Sequence, residues 1–453
     1  MLSFWREWFV RGGRLELIER IRRHWNDPGS HDRRIATGFM WVAFFVFVGK
    51  LAGAAKEMAI AWRYGVSETV DAYVFVFNLV TWPVSLWFGV LTVVLVPLVV
   101  GLRHEGPEQL KRFRGELLTL NLLLGVGALS LAYVALPWLL RSDWAGLSSG
   151  VETAALGMVG PLSWLLPLGA TISLWSAWTM ACGKHRNTLL EALPAVAILI
   201  AVLLPNGWIS EPLVWGTLVG YVMHVVGLGA PLSRSGEMSA PLLGFASPAW
   251  SIFWRGVKLM VLGQALMSLT AVIDQFFAAH LGTGAIATLN YANRIMALIL
   301  GLGAVAISRA TLPVFSEAVA NGHVRRLAFR WAQWMFLGGL GVLAFLQPLA
   351  HWVVKLLFER GAFTEVNTAQ VAEVLQLFLL QVPFYFSGLV MVSALSSKKD
   401  YIALTLSGII GVLIRPLANA LLIPRMGIDG IAVSAAVGYV ATSAYMVARL
   451  RSQ

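Results

Sequence analysis

The chain has 453 residues, a formal net charge of +11 and a single cysteine, and 58% of its residues are hydrophobic. Its mean hydropathy of +0.73 exceeds that of soluble domains. No basic folded domain remains outside the apolar segments, so the positive charge does not indicate nucleic-acid binding. Because Cys182 is the only cysteine, an internal disulfide bond and a cysteine-based metal site are excluded.

Twelve apolar segments follow one another between Arg34 and Leu450. Several approach the roughly 20 residues that a helix needs to cross about 30 Å of hydrocarbon. They lack strand-like alternation, and a membrane interior offers no water to the backbone, so we predict that all of them are helices. In chain order, the predicted segments are 35–62, 70–101, 116–140, 152–182, 187–207, 211–230, 247–280, 284–318, 327–354, 367–397, 399–423 and 428–450.

The distribution of basic residues predicts the orientation of these segments. Twenty-four of the 34 Lys and Arg residues lie in the N-terminal tail or at alternate connections, on one side of the membrane. The connections on the other side hold only five, which are Arg63, Arg141, Lys355, Arg360 and Arg425. By the positive-inside rule, we predict a multi-pass membrane protein with both termini in the cytoplasm.

Four regions are predicted along the chain. Residues 1–34 read as a basic amphipathic segment that lies on the inner leaflet as a helix, and a disordered tail is the alternative. Residues 35–230 form an N-lobe of six transmembrane helices, 231–246 a cytoplasmic linker, and 247–453 a C-lobe of six more. Each half has an even number of spans, so both halves have the same orientation and would enclose a central cavity. The predicted fold class is an all-α integral membrane protein with about twelve transmembrane helices in two parallel six-helix lobes.

A few charged residues fall inside the predicted spans. Charge is costly to bury in hydrocarbon, so such residues are functional candidates. The five cations and three acids are Lys50, Lys56, Glu57, Asp71, Asp274, Arg294, Arg309 and Arg415. The excess of cations predicts a cavity for an anionic substrate, because Lys and Arg donate hydrogen bonds to phosphate or carboxylate oxygens. A purely structural role is the alternative for each residue, for example snorkelling of Lys56 or Arg309 to the membrane surface.

Two oxygen-bearing residues in apolar helices form a candidate cation site. Asp274 and Asn419 could together hold Na⁺, or Asp274 could carry a coupling H⁺. The alternative is an ion pair between Asp274 and Arg415. No other cofactor is expected, and no metal ligands are assigned. The chain shows no P-loop, Gly-x-Ser-x-Gly elbow, pair of catalytic carboxylates or His pair at metal-ligand spacing, so it is predicted not to be an enzyme.

Three strings of residues resemble those of one known family. They are 49–57 followed by Asp71-Ala72-Tyr73, then 289–294, and then 357–364. All three are similar to motifs of the MurJ/MviN lipid II flippases, within the multidrug/oligosaccharidyl-lipid/polysaccharide (MOP) exporter superfamily. The resemblance implies a protein of the bacterial cytoplasmic (inner) membrane, with two lobes that form a V and alternate between inward-open and outward-open states.

The resemblance also implies roles for five residues. Lys50, Lys56 and Arg294 would contact the diphosphate of a polyprenyl-linked glycan. Asp71 would help to gate the cavity or balance its charge, and Glu57 matches an acid of the same motif. The chain departs from the family at several places. Lys50 and Lys56 stand where the family has Arg, and residues 83–89 lack the family's Arg-Arg and Glu.

The predicted function is therefore a MurJ-like flippase for an undecaprenyl-diphosphate-linked saccharide. The substrate is lipid II or an exopolysaccharide or O-antigen-type unit, which would move from the inner to the outer leaflet by alternating access. Membrane lipids and glycan-synthesis proteins are the other candidate partners. Two alternatives are a cation-coupled multidrug or toxin exporter of the same superfamily and a non-transporting membrane scaffold.

Overall fold

The computed structural model describes residues 31–183, 187–320, 324–398 and 400–452. Each of the twelve predicted segments coincides with one helix or with two consecutive helices. The predicted amphipathic segment, 1–34, lies outside the described part up to residue 30, and its last four residues belong to the first described helix. The first half contains α1 (His31–Tyr64), α2 (Glu68–Glu105), α3 (Pro107–Leu140), α4 (Ser149–Ser163), α5 (Leu165–Ala181), α6 (Asn187–Leu190), α7 (Leu193–Leu203) and α8 (Pro212–Arg234). The second half contains α9 (Ala249–Ala279), α10 (Ala285–Ala320), α11 (Val324–Phe358), α12 (Glu365–Phe378), α13 (Val382–Ser397), α14 (Tyr401–Met426) and α15 (Ile428–Arg451).

The number of helices that can cross a membrane differs somewhat from the prediction. Within the described part of the chain, nine helical spans are long and apolar enough, and a tenth results if α4 and α5, bent by 43°, count as one. Of the two remaining predicted segments, α1 is long enough with 34 residues. In contrast, α7 has 11 residues and reaches only about 16 Å. Pro194 lies in its first turn and cannot continue a helix from α6, because proline lacks the amide hydrogen and its ring clashes with the preceding turn.

Three buried apolar clusters show how the two halves are joined. One cluster combines both halves and includes Phe75 of α2 and Tyr291 of α10. A second contains only the first half and the start of α9, and the third contains only the second half. The two separate clusters lie near Arg103 and Arg449, at what we name the basic end of the molecule. The shared cluster lies at the opposite end, near Arg63.

The halves therefore form a V that is joined at the opposite end and opens toward the basic end. Apolar side chains packed at the join hold the halves together there through van der Waals contacts, because lipid provides no hydrophobic driving force between membrane helices. At the basic end, the first half together with the start of α9 forms one apolar core and the rest of the second half forms another, so these two units can separate there without exposing a common core. The predicted two-lobe, V-shaped, all-helical fold is confirmed.

Helix α9 packs against both halves. Near its start, Phe253 contacts the ring of Phe113 with ring centroids 6.0 Å apart, and further along Asp274 contacts α14. The preceding stretch, residues 235–248, forms no helix and overlaps the predicted linker. Its carboxylate Glu237 forms ion pairs with Arg103 (2.7 Å) and Arg114 (3.0 Å), so the stretch is held against the first half. The predicted domain boundaries themselves stay a prediction.

Candidate functional site

A cavity of about 510 Å³ lies between the two halves. Its walls come from α2, α9, α10, α14 and α15, and from the turn that contains Gln381. Among the described side chains that line it, the charged ones are Asp274, Arg294 and Arg415. The volume falls in the range of roughly 300–1,000 Å³ that is typical of ligand pockets. The cavity is thus large enough to receive part of a substrate headgroup.

Beside the cavity, three connected charges come from both halves, and one of them, Arg294, lines the cavity. The carboxylate oxygen Oε1 of Glu57 accepts hydrogen bonds from Lys56 Nζ (2.8 Å) and from Arg294 Nε (2.9 Å). Glu57 is buried, whereas the side chain of Arg294 is 46% exposed and lines the cavity. Two cations share one anion, so the group has a net positive charge. The Arg294 guanidinium is therefore placed to bind an anion in the cavity.

The other two residues of the predicted substrate site lie elsewhere. Lys50 is exposed on α1. Its Nζ lies beside Gly301 of α10, 3.7 Å from the position that a Cβ on this glycine would take. Asp71 is 1% exposed and lies at the joined end of the V. Neither side chain is among those that line the cavity. The structure thus brings Lys56, Glu57 and Arg294 together and separates Lys50 and Asp71 from them.

Asp71 caps a helix of the other half. Its carboxylate accepts a hydrogen bond from the amide of Gly284, and a second from that of Ala287 at 2.6 Å. Gly284 immediately precedes α10 and Ala287 lies in its first turn, where backbone N–H groups lack partners within the helix. A carboxylate at this position is stabilising, because it also meets the positive end of the helix dipole. Both bonds cross between the halves and hold the joined end closed.

Backbone contacts reinforce this closure and explain two of the sequence motifs. The amide of Ala362, in the loop after α11, donates to the carbonyl of Trp62 at 2.8 Å. Gly361 has a φ of +57°, and a Cβ there would overlap the Trp62 carbonyl, so the turn requires glycine. Tyr291 donates to the carbonyl of Gly65 at 3.0 Å. The strings 357–364 and 289–294 therefore both meet the end of α1.

Asp274 is paired with Arg415, which is the alternative to the predicted cation site. Its Oδ2 lies 2.5 Å from Arg415 Nη2, and its Oδ1 accepts from Asn419 Nδ2 at 2.9 Å. Asp274 is buried, and Arg415 is 18% exposed. The guanidinium thus provides the positive charge that a bound cation would otherwise supply. A Na⁺ or H⁺ site at Asp274 and Asn419 stays a prediction.

Replacing Asp274 with asparagine is expected to destabilise the protein, because it leaves the Arg415 charge without its partner. Breaking one side of a buried ion pair costs roughly 3–5 kcal/mol. The double change Asp274→Asn with Arg415→Gln should recover most of that loss. Thermal unfolding of the purified variants measures both effects. Unchanged stability of Asp274→Asn would contradict the structural pairing and favour a proton or sodium site.

The sequence interpretation missed the uncharged polar lining of the cavity. On α2, Asn78, Thr81 and Ser85 recur at positions i, i+3 and i+7, which lie on one helical face. On α9, Ser268 and Gln275 share the same spacing. Polar residues at helical spacing within an apolar span were the available signal. Because each is neutral, a search for charged residues passed over them.

Two further candidates are a metal site and Arg309. Within the described ranges, no group of three or more His, Cys, Asp and Glu residues could hold a metal ion. Arg309 belongs to α10, but its side chain lies outside the described part of the structure.

Comparison with known proteins identifies the family. The model of the family described as lipid II flippase MurJ matches residues 60–453. A probable lipid II flippase MurJ of Bdellovibrio bacteriovorus is 23% identical over 58% of this chain and 51% of its own length. The lipid II flippase MurJ of Burkholderia cenocepacia is 24% identical over 91% of this chain and 83% of its own length. The aligned part thus spans about half of the first relative and most of the second.

Solved structures share the fold. A lipid II flippase MurJ in an inward closed conformation superposes with a TM-score of 0.80 at 18% identity, over 91% of this chain and 87% of that one. An inward-facing multidrug resistance MATE transporter of the MOP superfamily has a TM-score of 0.71 at 17% identity, over 89% and 94% of the two chains. These likenesses establish the two-lobe fold of the superfamily. Together with the family model, which covers most of the chain, they show that the protein is a multi-pass membrane protein of the lipid II flippase MurJ family.

Proposed function

We propose that the protein is a flippase that moves lipid II, an undecaprenyl-diphosphate-linked saccharide, across the bacterial inner membrane. The observation that carries this proposal is the position of Arg294, half-exposed in the cavity while Glu57, itself paired with Lys56, holds its other side. A planar guanidinium binds two oxygens of a phosphate at once. The group's net positive charge complements a diphosphate, and the neutral polar lining suits an uncharged saccharide.

Alternating access follows from the shape of the V. The headgroup enters the cavity from the basic end, which we place in the cytoplasm, and the polyprenyl chain stays in the lipid. The bonds of Asp71 to the first turn of α10 and of Ala362 to Trp62 keep the opposite end closed during loading. Rocking of the lobes then breaks these bonds and opens the cavity to the outer side.

The proposed orientation is tested by cysteine labelling. In a Cys182→Ser background, a cysteine at Asp143, which is exposed at the opposite end, should react with a membrane-impermeant thiol reagent in intact cells. A cysteine at Lys111, exposed at the basic end, should react only after the cells are opened. Labelling of Lys111→Cys in intact cells, with none of Asp143→Cys, would reverse the orientation.

The activity itself is tested with the purified protein in lipid vesicles. We expect it to move a polyprenyl-diphosphate-linked saccharide from one leaflet to the other, which an impermeant reagent that modifies outer-leaflet headgroups detects. Vesicles that contain the same amount of heat-denatured protein provide the background rate. Restored growth of cells depleted of their own lipid II flippase is the matching test in vivo. A rate equal to the background in vesicles, together with no rescue of growth, would refute the proposal.

The alternatives receive less support. A drug-cation exporter needs an available acid in its cavity, but the cavity carboxylate of Asp274 is paired with Arg415. A non-transporting scaffold needs no cationic cavity, yet Arg294 is held in one by a partner from the other half.

The driving force forms a separate part of the proposal. If a Na⁺ or H⁺ gradient acts through Asp274, transport by Asp274→Asn should become insensitive to that gradient. If Asp274 serves only to hold Arg415, any gradient dependence should survive in the Asp274→Asn, Arg415→Gln double variant. Glycan-synthesis proteins remain proposed partners that deliver the substrate to the basic end.

A further inference from the structure

The cavity contains a second group of polar residues that diphosphate binding does not use. Gln275 of α9 is 9% exposed and lines the cavity. Its amide oxygen Oε1 is buried and has no hydrogen-bond partner among the described residues. Buried acceptors without a partner are uncommon in folded proteins and lower their stability. This oxygen therefore indicates a missing donor, such as an O–H or N–H group of a ligand.

An aromatic ring is fixed in the same cavity by a bond to α9. The indole nitrogen of Trp82, on α2, donates to the hydroxyl of Ser268 at 2.9 Å. That hydroxyl in turn donates to the backbone carbonyl of Gln264 at 2.8 Å. The polar edge of Trp82 is thus satisfied within the protein, and its ring contributes an apolar surface to the cavity. Fixed aromatic side chains provide contact area at a low cost in conformational entropy.

The two features together match the chemistry of a sugar ring. A pyranose has faces of C–H groups, which contact aromatic carbon, and an edge of hydroxyl groups, which donate hydrogen bonds. The other nearby lining residues, including Asn78, Thr81 and Gln381, are neutral donors and acceptors. Specific recognition of such a ring depends on polar groups that stay unpaired when it is absent.

We propose that Trp82 and Gln275 form a saccharide subsite, in which Trp82 contacts a face of the sugar next to the diphosphate and Gln275 accepts a hydrogen bond from it. This inference rests on the proposed function, because Arg294 in the same cavity would hold the diphosphate. The subsite determines which headgroups the protein prefers, whereas Arg294 supplies binding that is common to all of them.

The test uses the full-length protein in detergent and two probes that differ only in the sugar. One probe is farnesyl diphosphate, and the other is farnesyl diphosphate that carries one N-acetylglucosamine. We expect wild type to bind the second probe at least about tenfold more tightly, since neutral hydrogen bonds and an aromatic contact are each worth about a fewfold to tenfold in affinity and these factors multiply. Trp82→Ala and Gln275→Leu should each remove most of that preference and leave binding of farnesyl diphosphate unchanged.

Stability measurements separate binding from folding. Gln275→Leu removes a buried acceptor that has no partner, so its unfolding temperature should equal or exceed that of wild type. Trp82→Phe keeps an aromatic ring and should retain part of the preference even if Trp82→Ala is unstable. Trp334→Ala, at an exposed position of α11 outside the cavity, is the matched control and should keep the full preference.

The outcomes distinguish this inference from the function on which it rests. If wild type binds both probes equally, or if Trp82→Phe and Gln275→Leu are both folded and keep the full preference, the saccharide subsite is wrong and the diphosphate site stands. If Arg294→Ala binds farnesyl diphosphate as tightly as wild type does, the diphosphate site is wrong. If wild type binds neither probe, both proposals fail.

Discussion

Replacing Arg294 with alanine is expected to abolish translocation while the protein stays folded and inserted in the membrane. A lost hydrogen bond to a charged group costs roughly 1.5–3 kcal/mol, which corresponds to about a 10- to 150-fold loss of affinity. Arg294 can donate more than one such bond to a diphosphate. Glu57 keeps the ammonium of Lys56 as a partner at 2.8 Å, so the substitution does not leave this buried carboxylate without a counter-charge.

Headgroup translocation in vesicles and growth of flippase-depleted cells both measure this effect. Arg294→Lys should retain part of the activity, because it keeps the charge and loses the planar pair of donors. Arg326→Ala, at an exposed arginine of the basic end, is the control and should be fully active. Lys50→Ala is expected to lower activity less than Arg294→Ala, because Lys50 lies outside the cavity lining. Full activity of a well-folded Arg294→Ala variant would show that the cavity does not bind the diphosphate.

A disulfide bond across the joined end of the V is expected to stop transport reversibly. The hydroxyls of Ser148, before α4, and Thr283, before α10, lie 3.2 Å apart and belong to different halves. Cysteines in these two positions need only a small shift to reach the roughly 2.05 Å of a disulfide bond. In a Cys182→Ser background, oxidation of the pair should reduce transport to the background rate. Reduction with dithiothreitol should restore it.

A second pair of cysteines controls for the effect of cross-linking itself. Thr311 of α10 and Ser393 of α13 also lie close together, with their hydroxyls 3.1 Å apart, but both belong to the second half. Their disulfide bond should leave transport largely intact, because the lobes move as units. The fraction cross-linked is read from the loss of free thiols. Undiminished transport by fully oxidised Ser148→Cys, Thr283→Cys protein would mean that this end does not open during the cycle.

The sequence by itself determined the class of protein and the approximate positions of its helices. Hydropathy and charge are local properties, so they indicate which segments enter a membrane without knowledge of their packing. The same reasoning found the charges inside the spans, among them Arg294 and Asp274. It overestimated the length of the fifth segment, because apolar residues continue across Pro194 although the helix does not.

Only the tertiary structure decided what these charges do. Glu57 stands next to Lys56 in the chain, but its second partner Arg294 comes from the other half. Asp71 accepts a hydrogen bond from an amide 213 residues away. Asp274 is paired with Arg415, which was one of its two predicted partners, the other being a bound cation. The orphaned oxygen of Gln275 had no signal in the sequence beyond its helical spacing. These partners depend on how the helices pack. Helix packing is set by contacts between side chains that are far apart in the chain, and no local pattern of residues encodes such contacts.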